Sequence, residues 1–259
     1  MDIKHVLRVL DGEQLIPAEP SAAYVVGSRA RGWSNNKSDW DIYVITGEEW
    51  FSETGAVMPM ALNPPRVVSE SFYHGETRWE VTYWLASQVH QMLRKVSWEE
   101  FRRGLPAGQV LTPREELFLG RLLDAAPLTG HEWLQEAREE LERSAFRAFL
   151  LSRSLGLADD AVEDVLGQME SGELQSAVLS ARAALKHAVD ALLESHGEYG
   201  SLIPKWRPQR FQAAKPSVIS FEDYWSLETM RTYDPADPTR WIEEVLALCQ
   251  EISMGVEVS

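Results

Sequence analysis

The run Tyr24-Val25-Val26-Gly27-Ser28-Arg29-Ala30-Arg31-Gly32-Trp33-Ser34-Asn35-Asn36-Lys37-Ser38-Asp39-Trp40-Asp41-Ile42-Tyr43-Val44-Ile45 decides how this chain folds. Residues 23–26 and 40–45 are rich in β-branched and aromatic side chains, so both read as buried strands, with a glycine-punctuated polar loop between them. Side chains alternate faces along a strand, which puts Asp39 and Asp41 on the same side. Two neighbouring carboxylates repel each other unless a cation lies between them, and the hard, oxygen-seeking Mg²⁺ suits that place. The Gly27-Ser28 turn adds close main-chain approach and N–H donors fitted to a phosphate.

A third carboxylate lies downstream. Residues 66–72 and 77–85 read as two strands joined by a turn at His74-Gly75-Glu76, and Glu80 sits between Trp79 and Val81 in the second of them. Glu80 then falls in the sheet beside the aspartates. A register slip of one residue would turn it to the other face, which leaves Glu70 and Glu76 as alternatives, neither with apolar neighbours on both sides. An Asp-x-Asp pair alone is common in solvated loops, and a strand glutamate facing water needs no function. The whole ordered set is much harder to obtain by chance.

That set, Val26-Gly27-Ser28, ten residues, Asp39-Trp40-Asp41-Ile42 and then Trp79-Glu80-Val81, resembles the nucleotidyltransferase superfamily that includes DNA polymerase β. The likeness covers about residues 20–85. It implies a nucleoside triphosphate as co-substrate and two Mg²⁺ ions held by Asp39 and Asp41, with Glu80 as third ligand or as the base that takes a hydroxyl proton. It also implies nucleotide contacts from Gly27 and Ser28; Arg29, Arg31 and Lys37 in the same loop are candidates for balancing the triphosphate charge, set against exposure that simply keeps the loop solvated.

Composition narrows the acceptor. The 259 residues carry a net charge of −15. Residues 1–125 hold 17 acidic and 13 basic groups, and residues 126–259 hold 23 and 12, so the carboxy-terminal half alone stands at −11. A clamp on a nucleic-acid backbone needs a basic surface, and this bulk field opposes one. A small or cationic acceptor, such as an amino-bearing antibiotic, suits the field better. A single cysteine, Cys249, excludes an internal disulfide and a cysteine-based zinc site, and no apolar stretch reaches membrane-spanning length. With no apolar signal core at the amino terminus, the expected compartment is the cytoplasm.

After residue 85 the strand pattern gives way to helical spacing. Helices are expected over 87–103, 113–125, a long 131–155, 158–169, 173–195, 221–231 and 238–252. Pro127-Leu-Thr-Gly130 is the clearest break, with Thr129 as N-cap of the helix after it and Asp237 as N-cap before Pro238. The expected fold class is therefore α+β: an amino-terminal mixed β-sheet with flanking helices over 1–125, then an α-helical bundle over 126–259. This architecture looks like the kanamycin and lincosamide nucleotidyltransferases, which implies nucleotidyl transfer to a hydroxyl of a small molecule. The same resemblance allows a homodimer. Transfer to a protein side chain or a tRNA end, and a catalytically idle nucleotide-binding module, are the competing readings.

Two basic features remain. No acidic residue lies between Glu198 and Glu222, so Lys205, Arg207, Arg210 and Lys215 make that stretch +4 inside the acidic half. Lys205 and its neighbour Trp206 are candidates for phosphate or base contact, set against a basic loop that merely pairs with the acids around it. Arg182 and His187 resemble the Arg-x4-6-His element of helical HEPN domains, a two-residue match, with Lys186 between them as a further phosphate candidate. Positions five apart on a helix lie about 140° from one another, so Arg182 and His187 need a neighbouring helix to converge.

Overall fold

A computed structural model describes residues 2–258 of the chain. It opens with α1 (Ile3–Gly12), whose first turn is capped by the Asp2 carboxylate accepting from the His5 N–H at 3.1 Å. Strand β1 (Ala22–Val26) runs into a single helical turn, α2 (Gly27–Ala30), and the loop after it leads to β2 (Trp40–Thr46). β3 (Ala56–Pro59), β4 (Arg66–His74) and β5 (Thr77–Leu85) complete the first run of strands. Helices α3 (Ala86–Lys95), α4 (Trp98–Arg102), α5 (Ala107–Val110) and α6 (Pro113–Leu123) follow, and then β6 (Ala126–Thr129) and α7 (His131–Arg143). The six strands form one mixed sheet in the order β3-β4-β5-β2-β1-β6. Among the described residues only β2 and β5 are parallel; every other strand pairing is antiparallel.

The helical region comprises α8 (Phe146–Glu170), α9 (Leu174–Ser195), a 3₁₀ turn at Pro204–Trp206, α10 (Arg207–Ala214), α11 (Phe221–Glu228) and α12 (Thr239–Gly255). The α+β class expected from sequence is the fold observed. The chain forms two units: residues to Gly104 with Gln109–Ala145, and Leu105–Gly108 with the residues from Phe146 onward. Among the described residues no helix is long and apolar enough to cross a membrane.

Several local expectations give way. The Pro127-Leu-Thr-Gly130 stretch is not a boundary between units, because Ala126–Thr129 pairs with β1 as the sheet's last strand. Proline lacks an N–H, and an edge strand with a register shift at Ala23/Tyr24 accommodates that. Thr129 therefore belongs to a strand, and the residue capping α7 is Gly130 at φ 66, where a Cβ would lie 2.2 Å from the Ser21 carbonyl oxygen. The long helix expected over 131–155 is two helices. Ser144 is extended, its hydroxyl donates to the Leu141 carbonyl at 2.6 Å, and the Ala145 N–H is taken by the Val96 carbonyl at 2.8 Å. Gly156 does not interrupt α8, which absorbs the separate helix expected over 158–169. The basic stretch around Lys205 is largely helical, and the residue before α12 is Pro238, with no side-chain cap from Asp237.

Each unit has its own core. In the first, Val6, Val9 and Leu10 of α1 pack on Ile42, Val44, Trp79, Val81 and Tyr83, so α1 covers one face of the sheet. Phe118 of α6 meets the opposite face, stacked on Tyr43 at 5.3 Å and against Trp84 at 4.5 Å. In the second, α9 and α12 bury Ala181, Leu185, Val189, Leu192, Trp241 and Val245 among others.

A charged network threads this second core. Asp190 accepts from Arg207 Nε and Nη2 at 3.1 and 2.9 Å and from Arg210 Nη2 at 2.7 Å. One turn on, Glu194 is fully buried, with Arg153 Nη2 4.0 Å away. Burial pushes its carboxyl up from 4.5 to about 7, and the repulsion of Asp190 adds to this while Ser154, Arg153 and Ser201 oppose it. A raised folded-state value means the fold is favoured while Glu194 is protonated and loses stability as pH rises from about 4.5 to 7. Glu194→Gln is expected to gain on the native protein across that interval, on the order of 3 kcal/mol by pH 8, read from urea unfolding of both proteins at each pH. A difference between the two that does not change with pH would show that Glu194 does not titrate this way.

Candidate active site

The register of β2 builds the site. Val26 pairs with Asp41 across β1 and β2, and Asp41 pairs in turn with Glu80 across β2 and β5. The neighbouring pair, Trp40 and Trp79, points to the α1 face, where the two rings stack at 4.9 Å. Alternation then sends Asp41 and Glu80 together to the other face, with Asp39 two residues before Asp41 on the same side. Of the sequence candidates, Asp41 and Glu80 are direct partners, whereas Glu70 lies opposite Val81 and its carboxylate accepts from Thr54 at 3.2 Å. Glu76 is in the hairpin turn between β4 and β5.

Gly27 closes the same end of the sheet. It follows Val26, adopts φ +70, and a Cβ built on it would lie 2.7 Å from Asp41 Oδ2. Main chain can approach this carboxylate only where there is no side chain. Ser28 is in the helical turn after it, and its carbonyl accepts from the Trp33 N–H at 2.8 Å.

The loop's arginines have structural partners. Arg29 Nε donates to the Asp39 carbonyl at 2.9 Å and Nη2 to the Ser38 carbonyl at 2.5 Å, with the guanidinium 4.4 Å over the Trp40 ring. Burial lowers its pKa, against the pull of Asp39 and Asp41. Arg29 thus clamps the loop that presents Asp39. Arg31 pairs with Asp124 at 2.9 Å and lies 3.8 Å from the Trp33 ring centre.

Two further arginines enter the site that the sequence reading did not single out. Arg78 Nη2 donates to Glu80 Oε2 at 2.9 Å and to Ser71 Oγ at 3.3 Å, and Nη1 lies 3.8 Å from Asp39 Oδ2. Arg121, in the last turn of α6, donates to the Tyr43 hydroxyl at 3.2 Å and lies 3.6 Å from Asp41 Oδ2. Burial opposes its charge, but Tyr43, Asp41 and Glu80 together outweigh that and raise its pKa. Arg78 was legible in principle, since a residue two before Glu80 on a strand shares its face. Arg121 is 78 residues from Tyr43 and has no local signature.

These arginines bear on whether a metal fits. An all-oxygen set of three carboxylates suits a hard divalent cation, and the backbone register puts Asp41 beside Glu80. As the side chains stand, no group of three potential ligands among the described residues converges on a metal position. Arg78 draws Asp39 and Glu80 to itself, while Asp41 faces Arg121. The donor chemistry fits a hard divalent cation, while in this structure the three carboxylates are engaged by two arginines.

The other phosphate candidates lie in the helical unit. Lys186 and Arg182 of α9 line a cleft of about 320 Å³ with Arg207, Leu227 and Glu228. His187 is half-buried and does not line it. Burial, and then the charge of Lys186, lower its pKa. Lys205 is exposed, 5.3 Å from the Trp206 ring centre. Arg207 and Arg210 are buried on Asp190, the acid-pairing alternative weighed for this stretch.

No protein-family model matches the sequence, and neither does any curated protein. Among solved structures, the chain is similar to a nucleotidyltransferase-like protein from Exiguobacterium sibiricum 255-15, at 12% identity and a TM-score of 0.49 over 98% of this chain and 74% of that one. At that distance the likeness assigns no activity.

The close approach at Gly27 is open to test. Gly27→Ala is expected to lower stability more than Gly32→Ala, because both positions have φ +70 but a Cβ at Gly32 meets nothing within 4 Å. The left-handed backbone alone costs about 1–2 kcal/mol for an L-residue, and Gly27→Ala should exceed the control by a further ~1 kcal/mol in denaturant unfolding. Equal losses would contradict the packing of Gly27 on Asp41.

Proposed function

We propose that this chain is a Mg²⁺-dependent nucleotidyltransferase that moves a nucleoside monophosphate from an NTP to a hydroxyl of a small molecule, releasing pyrophosphate. The observation that carries the reading is the placement of Asp41 between Val26-Gly27 and Glu80, with Asp39 on the same face. In the proposed reaction the acceptor oxygen bonds to the α-phosphorus, the bridging oxygen to the β-phosphorus leaves with pyrophosphate, and the hydroxyl proton passes to a base. Asp39, Asp41 and Glu80 would hold the metal, which when bound neutralises triphosphate charge and eases loss of that proton.

The chain's own residues do the positioning. Gly27 has no side chain and lets main chain lie against Asp41, and the main-chain N–H groups of Gly27 and Ser28 are the donors proposed for a phosphate. Arg29 fixes the backbone of Ser38 and Asp39 and so sets the height of the first carboxylate. Arg121 neutralises part of the charge of Asp41 from below and anchors Tyr43. Glu80 serves as third ligand or as base. This assigns the chemistry to the first unit. The −11 charge of residues 126–259 favours a small or cationic acceptor over a nucleic-acid backbone.

The test is pyrophosphate release with Mg²⁺ and each of the four NTPs against aminoglycosides, lincosamides, total tRNA and cell lysate, with mass spectrometry of the products. A nucleotidyl adduct on a small molecule is expected, and an adduct confined to protein or RNA would overturn the proposed acceptor class. Replacing Asp39 and Asp41 together by Asn should abolish turnover, a loss of at least about 10³-fold, with the thermal unfolding midpoint maintained. Continued turnover in that double variant would sink the mechanism.

A further inference from the structure

Arg78 holds two of the three carboxylates that the proposed reaction needs for its metal. It is on β5 two residues before Glu80, and it spans from Glu80 Oε2 at 2.9 Å to Asp39 Oδ2 at 3.8 Å. The contact is weak by construction. Arg78 and Asp39 are each 44% exposed, and ion pairs that open to water contribute little. Arg121 differs: it is only 22% exposed, has a second anchor on the Tyr43 hydroxyl, and sits on Asp41 from the helix side. One guanidinium is thus mostly buried on a tyrosine anchor and the other is more exposed.

Resting on the proposed function, we infer that Arg78 is an internal counter-ion that occupies the place of the divalent cation until a metal–triphosphate complex arrives, and that it then turns to the triphosphate. A divalent cation carries twice the charge of a guanidinium, so it competes for Asp39 and Glu80, but alone it must also displace Arg78. When the cation comes with a triphosphate, the displaced fork finds phosphate oxygens, for which its planar donor geometry is suited. The free cation is thus disfavoured and the complex favoured by the same residue. Ser71 Oγ, at 3.3 Å, shows that the side chain already makes a contact outside the two carboxylates. Arg78 is a positioning residue for the metal and a contact for the phosphates, and it takes no part in proton transfer.

The experiment is equilibrium dialysis of the full chain against Mn²⁺, with and without inorganic tripolyphosphate, with the manganese retained by the protein measured by atomic absorption. The proteins are the native chain, Arg78→Gln and Arg78→Lys, with Asp41→Asn as the site control. Arg78→Gln should bind Mn²⁺ alone about fivefold tighter than the native chain and the Mn²⁺–tripolyphosphate complex about fivefold more weakly, while Arg78→Lys, which keeps the charge, stays near native for Mn²⁺ alone. Opposite signs from one substitution are the signature, since mere destabilisation weakens both. The inference is overturned if Arg78→Gln binds Mn²⁺ no tighter, if it binds the complex no more weakly, or if Arg78→Lys behaves as Arg78→Gln for Mn²⁺ alone. Those failures leave the proposed function standing as long as the native chain binds Mn²⁺ and Asp41→Asn does not. If no protein in the series binds Mn²⁺ with or without tripolyphosphate, the metal reading itself fails and Arg78 with it.

Discussion

The one parallel pairing in the sheet, β2 on β5, is the constraint on which everything else rests. Its register is held by apolar packing rather than by the site: Trp40 stacks on Trp79, and Ile42, Val44, Val81 and Tyr83 pack with α1 on the same face. Shifting β5 by one residue would take Trp79 out of its packing with α1 and Trp40, a larger loss than any contact among the carboxylates supplies. The buried face thus places Asp41 beside Glu80, and it can do so against their mutual repulsion. Hydrophobic burial along the two strands sustains an electrostatically unfavourable arrangement at their ends.

That arrangement is eased by parts of unequal permanence. Gly27 lets main chain reach the Asp41 carboxylate, and Arg29 fixes the loop ahead of Asp39 through two backbone carbonyls. Arg121 is tied to Tyr43 and reaches Asp41 from α6. Arg29 and Arg121 belong to the framework, because each is less exposed than Arg78 and also holds a backbone carbonyl or the buried Tyr43 hydroxyl. Arg78 is the exposed and weakly held exception. The helical unit shows the opposite solution to the same problem: Asp190 is sunk beneath two arginines at hydrogen-bonding distance, and Glu194 sits beside it at a pKa of about 7. Acids there are satisfied internally or close to neutral, as suits a structural role, whereas those at the sheet end stay half-exposed.

What was legible in the sequence follows from which signals are local. The β-branched and aromatic content of 40–45, with glycine in the turn before, marked the strand, and the alternation of side chains along a strand put Asp39 and Asp41 on one face, because both signals depend only on neighbours. The third carboxylate required a register between distant strands, and Glu80 stood out through its apolar flanks. Arg121 left no trace, since it reaches Asp41 from a helix 80 residues away in sequence and looks like any other basic residue in a last turn. The helix over 131–155 failed for a related reason: the apolar stripe continues through Ser144, but the Ala145 N–H bonds to Val96, a tertiary partner invisible to local periodicity. α1 and β3 went unread. α1 is short, with only Val6, Val9 and Leu10 buried, and β3 is a four-residue edge strand that is mostly exposed.

The central claim is that Asp41 and Glu80 face a common cation beside the Gly27 turn. The most direct measurement is a crystal grown with Mn²⁺ and a non-hydrolysable nucleoside triphosphate, with anomalous density recorded at the manganese edge. The account predicts a peak within coordination distance of both carboxylates, about 2.0–2.3 Å from their oxygens, with the triphosphate against Gly27 and Ser28. Manganese and nucleotide bound elsewhere, with Asp41 still on Arg121 and Glu80 still on Arg78, would contradict it.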